Sequence, residues 1–504
     1  MLKIQHLTIT DTTSKVLIND LSLIINKGDK IAIIGEEGNG KSTLLKAIYD
    51  KRSVHSYAQI IGTIDMQFDL VAYLPQQIGE DWNACFIYEF LLKDQIDEEL
   101  DYNLYQTYEA LCVKINIPKE LLYRDQKMKE LSGGERVKLR LLKVLKDDPD
   151  LLLLDEPTND LDISTIEWLS EYIKMSSCGV LFISHDIELI EECADQILHL
   201  EQRNKRNKPV WTLVGNDYHE YVEQRNQLYD KEKQVVASKK REYKKQMNHI
   251  NDIKNAVTHA QNNVPRSMPF MGRLLKKKMK VVKGIEERLG EDDFDLDTYE
   301  EEINLQLKNE HYHASKRVLD LHEDIYINDR LLIKDCNIEI FGQDKIALIG
   351  DNGTGKTILL KTVRQIIADN DLDYAYMPQN YEEILDYQKT PIQFLQQATE
   401  SSLTQIQEFL GAIHLTALEM DKKIMDLSEG QKAKLCVVYL ILSEPKVLLM
   451  DEPTRNISPL SKPVITRLLK EYQGCLILTT HDRYLLNQLH PKVYKIDHQK
   501  WISE

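Results

Sequence analysis

One strand–loop–helix pattern occurs twice in this chain, and that duplication limits what it can fold into more than any other feature. Gly35-Glu36-Glu37-Gly38-Asn39-Gly40-Lys41-Ser42 and Gly350-Asp351-Asn352-Gly353-Thr354-Gly355-Lys356-Thr357 both read G-x-x-x-x-G-K-[ST]. Each follows a matching apolar run, Lys30–Gly35 and Lys345–Gly350. Short apolar runs bounded by turns indicate strands buried in a parallel sheet. Backbone N–H groups of a glycine-rich loop at a helix N-terminus wrap phosphate groups. Gly35, Gly38, Asn39, Gly40, Lys41, Ser42 and Thr43 are thus candidate ATP-binding residues, with Gly350, Gly353, Gly355, Lys356 and Thr357 in the second copy. Lys41 and Lys356 would neutralise β/γ-phosphate charge, and the Ser42 and Thr357 hydroxyls would hold Mg²⁺.

The repeat continues downstream. Leu152-Leu153-Leu154-Asp155-Glu156-Pro157-Thr158 returns as Leu448-Leu449-Met450-Asp451-Glu452-Pro453-Thr454, and Phe182–Asp186 as Leu478–Asp482. Ser132 and Ser428, Glu156 and Glu452, and His185 and His481 share one spacing of 296 residues. The spacing between Lys41 and Lys356 is 19 residues longer, so the first copy holds the extra residues between its loop and Ser132. Asp155 and Asp451 fit a Mg²⁺ role through water, and Glu156 and Glu452 a general-base role. His185 and His481, each after an apolar strand, can reach a γ-phosphate or the attacking water.

A length of 504 residues predicts two or three domains. The fold class expected is α/β, with two P-loop ATPase domains at residues 1–215 and 312–504. Residues 216–311 lack strand character and predict a helical hairpin linker with its tip near 262–272, where Pro265 and Pro269 break the pattern. A first helix of some 40 residues would reach ~60 Å, longer than joining two lobes requires. From Lys231 to Gly290 there are 16 Lys or Arg against 5 Asp or Glu, in a chain of net charge −17. An acidic protein with one basic projecting element is expected to touch something anionic. No run of 18 apolar residues occurs, the N-terminus does not read as a signal peptide, and seven scattered cysteines suit a reducing compartment. A cytoplasmic location is expected.

One further motif names a superfamily. Leu131-Ser132-Gly133-Gly134-Glu135 and Leu427-Ser428-Glu429-Gly430-Gln431 each precede an Asp-Glu pair. Both resemble the signature of ATP-binding-cassette (ABC) proteins, and Gln76 and Gln379 look like that family's Q-loop glutamines. The resemblance covers both lobes and implies composite sites, with one lobe's ATP and Mg²⁺ completed by the other lobe's signature. Lys41, Gln76, Glu156 and His185 would pair with Ser428 and Gly430. Lys356, Gln379, Glu452 and His481 would pair with Ser132, Gly133 and Gly134. Gln76 and Gln379 would join the metal sites, and a monomer would sandwich two ATPs between its own lobes. Glu429 departs from the signature: its carboxylate either repels a γ-phosphate or points into solvent. Arg455-Asn456-Ile457-Ser458 also departs from the first lobe's Asn159-Asp160-Leu161-Asp162. Both changes fall on elements expected to face the first lobe's ATP, so unequal sites are expected, the Lys41 site more altered.

Membrane-importer tandem ATPases use a short connector and separate membrane subunits, and DNA-linked ATPases of the SMC type place a coiled coil inside one lobe. A helical segment between complete lobes resembles instead the ABC-F translation factors. That likeness implies a ribosome partner, with the linker entering the tRNA exit site toward the P-site tRNA and the peptidyl-transferase centre. Basic side chains anchor to rRNA phosphate with little sequence reading. The candidate ribosome contacts are Lys239, Lys240, Lys244, Lys245, Arg266, Met268, Phe270, Met271, Arg273, Lys276, Lys277 and Lys278. The apolar tip Met268–Met271 either packs back on the hairpin or stacks near nucleobases or a drug pocket. The second-lobe departures resemble the antibiotic-resistance branch (Vga-, Lsa- and VmlR-like), which implies protection against pleuromutilins, lincosamides and streptogramin A. A housekeeping ABC-F role is the alternative.

Overall fold

Wholly buried apolar strands run through both lobes, and one strand in each lobe leads into a candidate Asp-Glu pair at its C-terminal end. The computed structural model describes residues 1–503 except 77, 160, 204–207, 216–217, 263–268, 291–310, 328–329, 414 and 498–499. The chain divides into two compact units: the two lobes pack as one, and the helical segment from His219 is the other.

In the first lobe, β3 (Lys30–Ile34), β5 (Val71–Leu74), β6 (Leu151–Asp155), β7 (Gly179–Ile183), β8 (Gln196–Gln202) and β9 (Lys208–Gly215) form one sheet ordered β5-β6-β7-β3-β8-β9. Its pairings are parallel except β8–β9. Every residue of β6 and β7 is buried, as continuous apolar runs demand when both faces of a sheet are covered. A second, antiparallel sheet, which the apolar runs alone did not announce, is ordered β2-β1-β4 from β1 (Leu2–Asp11), β2 (Val16–Ile25) and β4 (Ala58–Met66). Ile18, Leu21, Leu23 and Ile25 turn their side chains into the core shared with the helix Lys41–Tyr49 and the larger sheet. That packing fixes the helix following the phosphate loop between two sheets.

The second lobe repeats the arrangement. β12 (Lys345–Gly350) lies between β15 (Cys475–Thr479) and β16 (Lys492–Asp497), as β3 lies between β7 and β8. β14 (Val447–Asp451) lies between β13 (Tyr374–Met377) and β15, as β6 does between β5 and β7. Here the antiparallel pair β10 (Arg317–Ile327) and β11 (Arg330–Phe341) joins the main sheet through β17 (Lys500–Ser503), giving eight strands. Each phosphate loop leaves the C-terminal end of its strand, where open α/β sheets bind ligands.

The helical unit contains Tyr218–Asn262, of 45 residues, and Pro269–Gly290, of 22. At ~1.5 Å per residue the first is about 67 Å long, close to the length read from composition. The second begins at Pro269, so Pro269 and Phe270 lie in a helical first turn and not in the expected pattern break. Proline suits that position because its missing N–H would have no helical partner there. All seven cysteines are free thiols, six buried and Cys85 half-buried. Among the described residues no helix is long and apolar enough to cross a membrane.

Leu153, fully buried at the centre of β6, tests the core. Leu153→Ala should lower the unfolding free energy by about 2–5 kcal/mol through lost burial and the cavity left behind, measured as a shift in the urea midpoint.

Candidate active sites between the lobes

The path of each phosphate loop is set by a carbonyl on the neighbouring strand. A Cβ at Gly35 would lie 2.2 Å from the Leu200 oxygen, and one at Gly350 would lie 2.5 Å from the Ile496 oxygen. Both residues also have φ near +145° (+144° and +146°), a backbone region that side chains avoid. Gly40 and Gly355 then turn the chain into its helix from left-handed N-cap conformations. Lys41 Nζ donates to the carbonyl oxygens of Gly35 (2.7 Å) and Glu36 (3.0 Å). Lys356 Nζ repeats this on Gly350 (2.7 Å) and Asp351 (2.9 Å).

Ser42 Oγ donates to Asp155 Oδ1 at 2.9 Å, and Tyr73 OH donates to Oδ2 at 3.0 Å. In the second lobe Thr479 donates to Asp451 Oδ1, while the buried Asp451 Oδ2 has no hydrogen-bond partner. A hydroxyl beside a buried carboxylate in the first lobe and an orphaned carboxylate oxygen in the second fit a hard cation with oxygen ligands. Burial raises the Asp155 pKa, against the hydrogen bonds from Ser42 and Tyr73.

Glu156 and Glu452 follow their strands with φ of 47° and 53°. Such left-handed conformations in non-glycine residues cost about 1–3 kcal/mol and collect at functional sites. The two carboxylates then differ. Glu156 Oε2 accepts from Gln76 Nε2 (2.7 Å) and Asn159 Nδ2 (2.6 Å), and Oε1 lies 3.0 Å from His185 Nε2. Burial raises its pKa, but His185, Lys41 and Asn159 outweigh burial and hold it at about 2. Glu452 accepts the His481 backbone N–H at 3.2 Å, and its Oε1 lies 3.6 Å from His481 Nε2. Burial, aided by Asp451 and opposed by Lys356, pushes Glu452 up to about 7. Burial and the Lys356 charge push His481 down to about 3, against the pull of the first lobe's Asp162.

Two clefts open between the lobes. One, of about 1140 Å³, brings Gly353, Gly355, Lys356, Thr357, Gln379, Asp451, Glu452 and His481 together with Gly133 of the first lobe. The other, of about 760 Å³, brings Gly38, Gly40, Lys41, Ser42, Thr43, Gln76, Glu156 and His185 together with Glu429, Arg455 and Asn456 of the second. Gln379 reaches both clefts. Gly35, Asn39, Asp155 and Gly350 sit behind the loops and line neither. Ser132, Gly134 and Ser428 also stand off the cleft walls, while the Gly430 N–H is covered by Glu37, which lines the second cleft. Ser132 and Ser428 cap their helices, accepting from Glu135 N and Gln431 N at 3.3 Å, so the signature is also a capping box. Glu429 is more than half exposed and pairs with Lys432 at 2.8 Å. Its carboxylate therefore turns toward solvent at the cleft edge.

Sequence reading missed several participants. Asn159 lies inside a quoted motif three residues after Glu156, and Tyr73 lies three residues before Gln76; a polar side chain close to a named candidate was the available signal. Arg140, which donates to the carbonyls of Pro75 and Gln76, sits two turns along the signature helix. Arg483 crosses between lobes to Glu188 (3.1 Å) and Glu192 (3.0 Å); no local pattern marks it.

The family model for ABC transporters matches residues 18–159 and 333–455, which hold both phosphate loops, both signatures and both Asp-Glu pairs. The chain belongs to the ABC family. As such it is an ATPase with two ATP-binding domains, and its curated relatives include ABC-F members. This ABC protein is 26% identical to ABC transporter F family member 5 of Arabidopsis thaliana, over 95% of the chain and 73% of that protein. It is 28% identical to the ribosome protection protein VmlR of Bacillus subtilis, over 92% of the chain and 81% of VmlR. It is also 28% identical to the ATP-binding protein Uup of Buchnera aphidicola subsp. Acyrthosiphon pisum, over 95% of the chain and 78% of Uup. Among solved structures, a model of ribosome-bound archaeal Pelota and ABCE1 aligns at a TM-score of 0.57 and 16% identity, covering 99% of this chain and 78% of that one. That likeness shows a shared fold.

The helical unit presents Lys244, Lys245, Arg273, Lys276, Lys277 and Lys278 to solvent. Phe270 is 79% exposed, so the packing-back alternative does not hold for this side chain. The backbones of Lys239, Lys240 and Met271 are helical; Arg266 and Met268 lie outside the described residues.

The unlike carboxylates give a kinetic expectation. A base with a pKa near 7 is matched to neutral pH, whereas one near 2 is a weak acceptor. Glu452→Gln should therefore cut steady-state ATP turnover about 100-fold or more, and Glu156→Gln distinctly less. Equal losses would contradict this. Because kcat/KM reports the free enzyme, it should rise with pH through about 7 as Glu452 loses its proton, and the rise should vanish in Glu452→Gln.

Proposed function

We propose that this ABC ATPase acts on the ribosome as a protection factor. It would bind at the tRNA exit site, its helical segment reaching toward the P-site tRNA and peptidyl-transferase centre to dislodge a bound antibiotic. The observation that carries this is a basic two-helix unit of 45 and 22 residues placed in sequence between two complete ATPase lobes. Exposed lysines along it suit rRNA phosphate, and the exposed Phe270 at the start of its second helix suits stacking or wedging near bases. The likeness to VmlR supports the same direction. Pleuromutilins, lincosamides and streptogramin A are the drug classes proposed.

ATP bound on each phosphate loop would meet the opposite lobe's signature. Lys41 and Lys356 would leave their loop carbonyls for the β/γ-phosphates. Ser42, Gln76 and Asp155 would hold Mg²⁺ in one site, and Thr357, Gln379 and Asp451 in the other. When bound, Mg²⁺ supplies charge neutralisation on the phosphates. Glu452 would orient and deprotonate the attacking water, with His481 fixed beside it; Glu156 and His185 stand in those roles in the first cleft. Closure on ATP and reopening after hydrolysis would drive entry and release of the helical unit.

The double variant Glu156→Gln with Glu452→Gln should co-sediment with ribosomes in ATP, because it binds nucleotide without turning it over. Absence from the ribosome pellet would refute the ribosome reading. Expression in a susceptible host should raise the inhibitory threshold of at least one peptidyl-transferase drug, and deleting residues 262–272 should abolish the rise. Ribosome binding with no threshold change for any such drug would favour a housekeeping role. Replacing Lys276, Lys277 and Lys278 with Ala should lower the salt slope of ribosome binding by about 2 to 3.

A further inference from the structure

The first phosphate loop carries two consecutive carboxylates, Glu36 and Glu37, that the ATP chemistry above does not use. Both reach across to the second lobe. Glu36 is buried and accepts from Lys434 Nζ at 2.8 Å, from Ser461 Oγ at 2.9 Å and from Ser458 Oγ. Glu37 Oε1 accepts the Gly430 backbone N–H at 3.0 Å, in the first turn of the helix Glu429–Ser443. A Cβ added at Gly430 would lie 2.8 Å from the Asn456 carbonyl oxygen and 2.9 Å from that Glu37 oxygen, so the backbone of its own lobe keeps this position glycine and leaves room for the Glu37 carboxylate.

The counterparts of Glu36, Lys434 and Ser458 in the other cleft behave differently. Asp351, in the place of Glu36, is exposed. Lys138, in the place of Lys434, lies over the Trp168 ring of its own lobe at 5.4 Å. Asp162, in the place of Ser458, accepts from Thr165 N at 2.9 Å and caps its own helix. The contacts of Glu36 across the Lys41 cleft are therefore not a general property of the duplicated fold.

We propose that Glu36 and Glu37 form an intramolecular latch that holds the two walls of the Lys41 cleft together without nucleotide, leaving the Lys356 cleft as the one that ATP closes. The latch works by substitution. A helix N-terminus favours an anion on its free N–H groups, and the signature N–H of Gly430 is already satisfied by Glu37. A buried carboxylate needs both a counter-charge and hydrogen bonds, and Glu36 receives all of them from the opposite lobe. Depression of the Glu36 pKa follows from the same contacts: burial raises it, and Lys434 with the two serines more than reverses this. An ATP γ-phosphate entering the Lys41 cleft would compete with Glu37 for the same donor. Movement is then expected as a hinge, closed on the Lys41 side and opening at the Lys356 side. The division of labour between clefts rests on the composite-site reading; the nucleotide-free latch does not.

Hydrogen exchange on the full-length chain tests both parts. Without nucleotide, the Gly430 amide should exchange about tenfold or more slower than that of its counterpart Gly134. The double variant Glu36→Gln with Glu37→Ala should abolish that difference while keeping a cooperative thermal transition. Equal exchange of the two amides in the natural sequence, or undiminished protection in a folded double variant, would overturn the latch. Should the double variant not fold, Ser458→Ala with Ser461→Ala, which removes two donors to Glu36, should give a partial loss of protection. No change there would equally overturn it. Adding ATP should then slow exchange at residues 132–138 about tenfold while changing 428–434 less than about twofold. Slowing of both segments alike would overturn the assignment of closure to the Lys356 cleft. A response in neither would refute the composite sites while leaving the nucleotide-free result to stand by itself.

Discussion

Close passage of each phosphate loop over a neighbouring strand is the constraint on which the rest of this structure depends. Gly35 and Gly350 lie so near the Leu200 and Ile496 carbonyls that no side chain fits. Each loop is thereby pinned at the end of its strand, with the following helix wedged into the core. Once the loops are pinned, Ser42 meets Asp155, and the strand-end glutamates stand beside the histidines. The site chemistry is thus a consequence of sheet packing: buried parallel strands bring residues more than 100 positions apart to one edge.

Duplication supplies two such edges, and the chain has not kept them equal. Glu156 is tied by Gln76, Asn159 and His185, which together stabilise its charge. Glu452 is equally buried but held by one backbone N–H, and burial dominates its titration. The same strand, turn and strained backbone therefore present one fixed anion and one carboxyl poised near neutrality. The lobes also meet through contacts that have no twofold mate. Arg483 binds Glu188 and Glu192, whereas its counterpart Ile187 is an apolar core residue. Glu36 is enclosed by Lys434, Ser458 and Ser461, whereas Asp351 faces water. Asymmetry in the interface and asymmetry in the carboxylates therefore fall on the same cleft: the Lys41 side holds both the restrained Glu156 and the enclosed Glu36.

Much of this was legible from local patterns. Strands β6 and β14 were readable because strands buried on both faces are apolar throughout, and turns end them at Asp-Glu. The long helix was readable because 45 residues without a break have no other regular structure to adopt. The antiparallel sheets were harder, since half-buried strands dilute the apolar signal with polar residues on the open face. Pro269 misled for a related reason: proline marks both a break and a helix start, and only the backbone path distinguishes the two.

By itself, the sequence determined the two ATPase lobes, the order of their motifs and the basic helical insertion between them, because these depend on periodicity, turn chemistry and short-range spacing. Tertiary structure alone decided which carboxylate is restrained, which lysine crosses the interface and where Glu36 and Glu37 find their partners. Glu37 and Gly430 are 393 residues apart, and Glu36 and Lys434 are 398 apart. Charge stabilisation at such separations depends on burial and on the geometry of a second lobe, which no local pattern encodes.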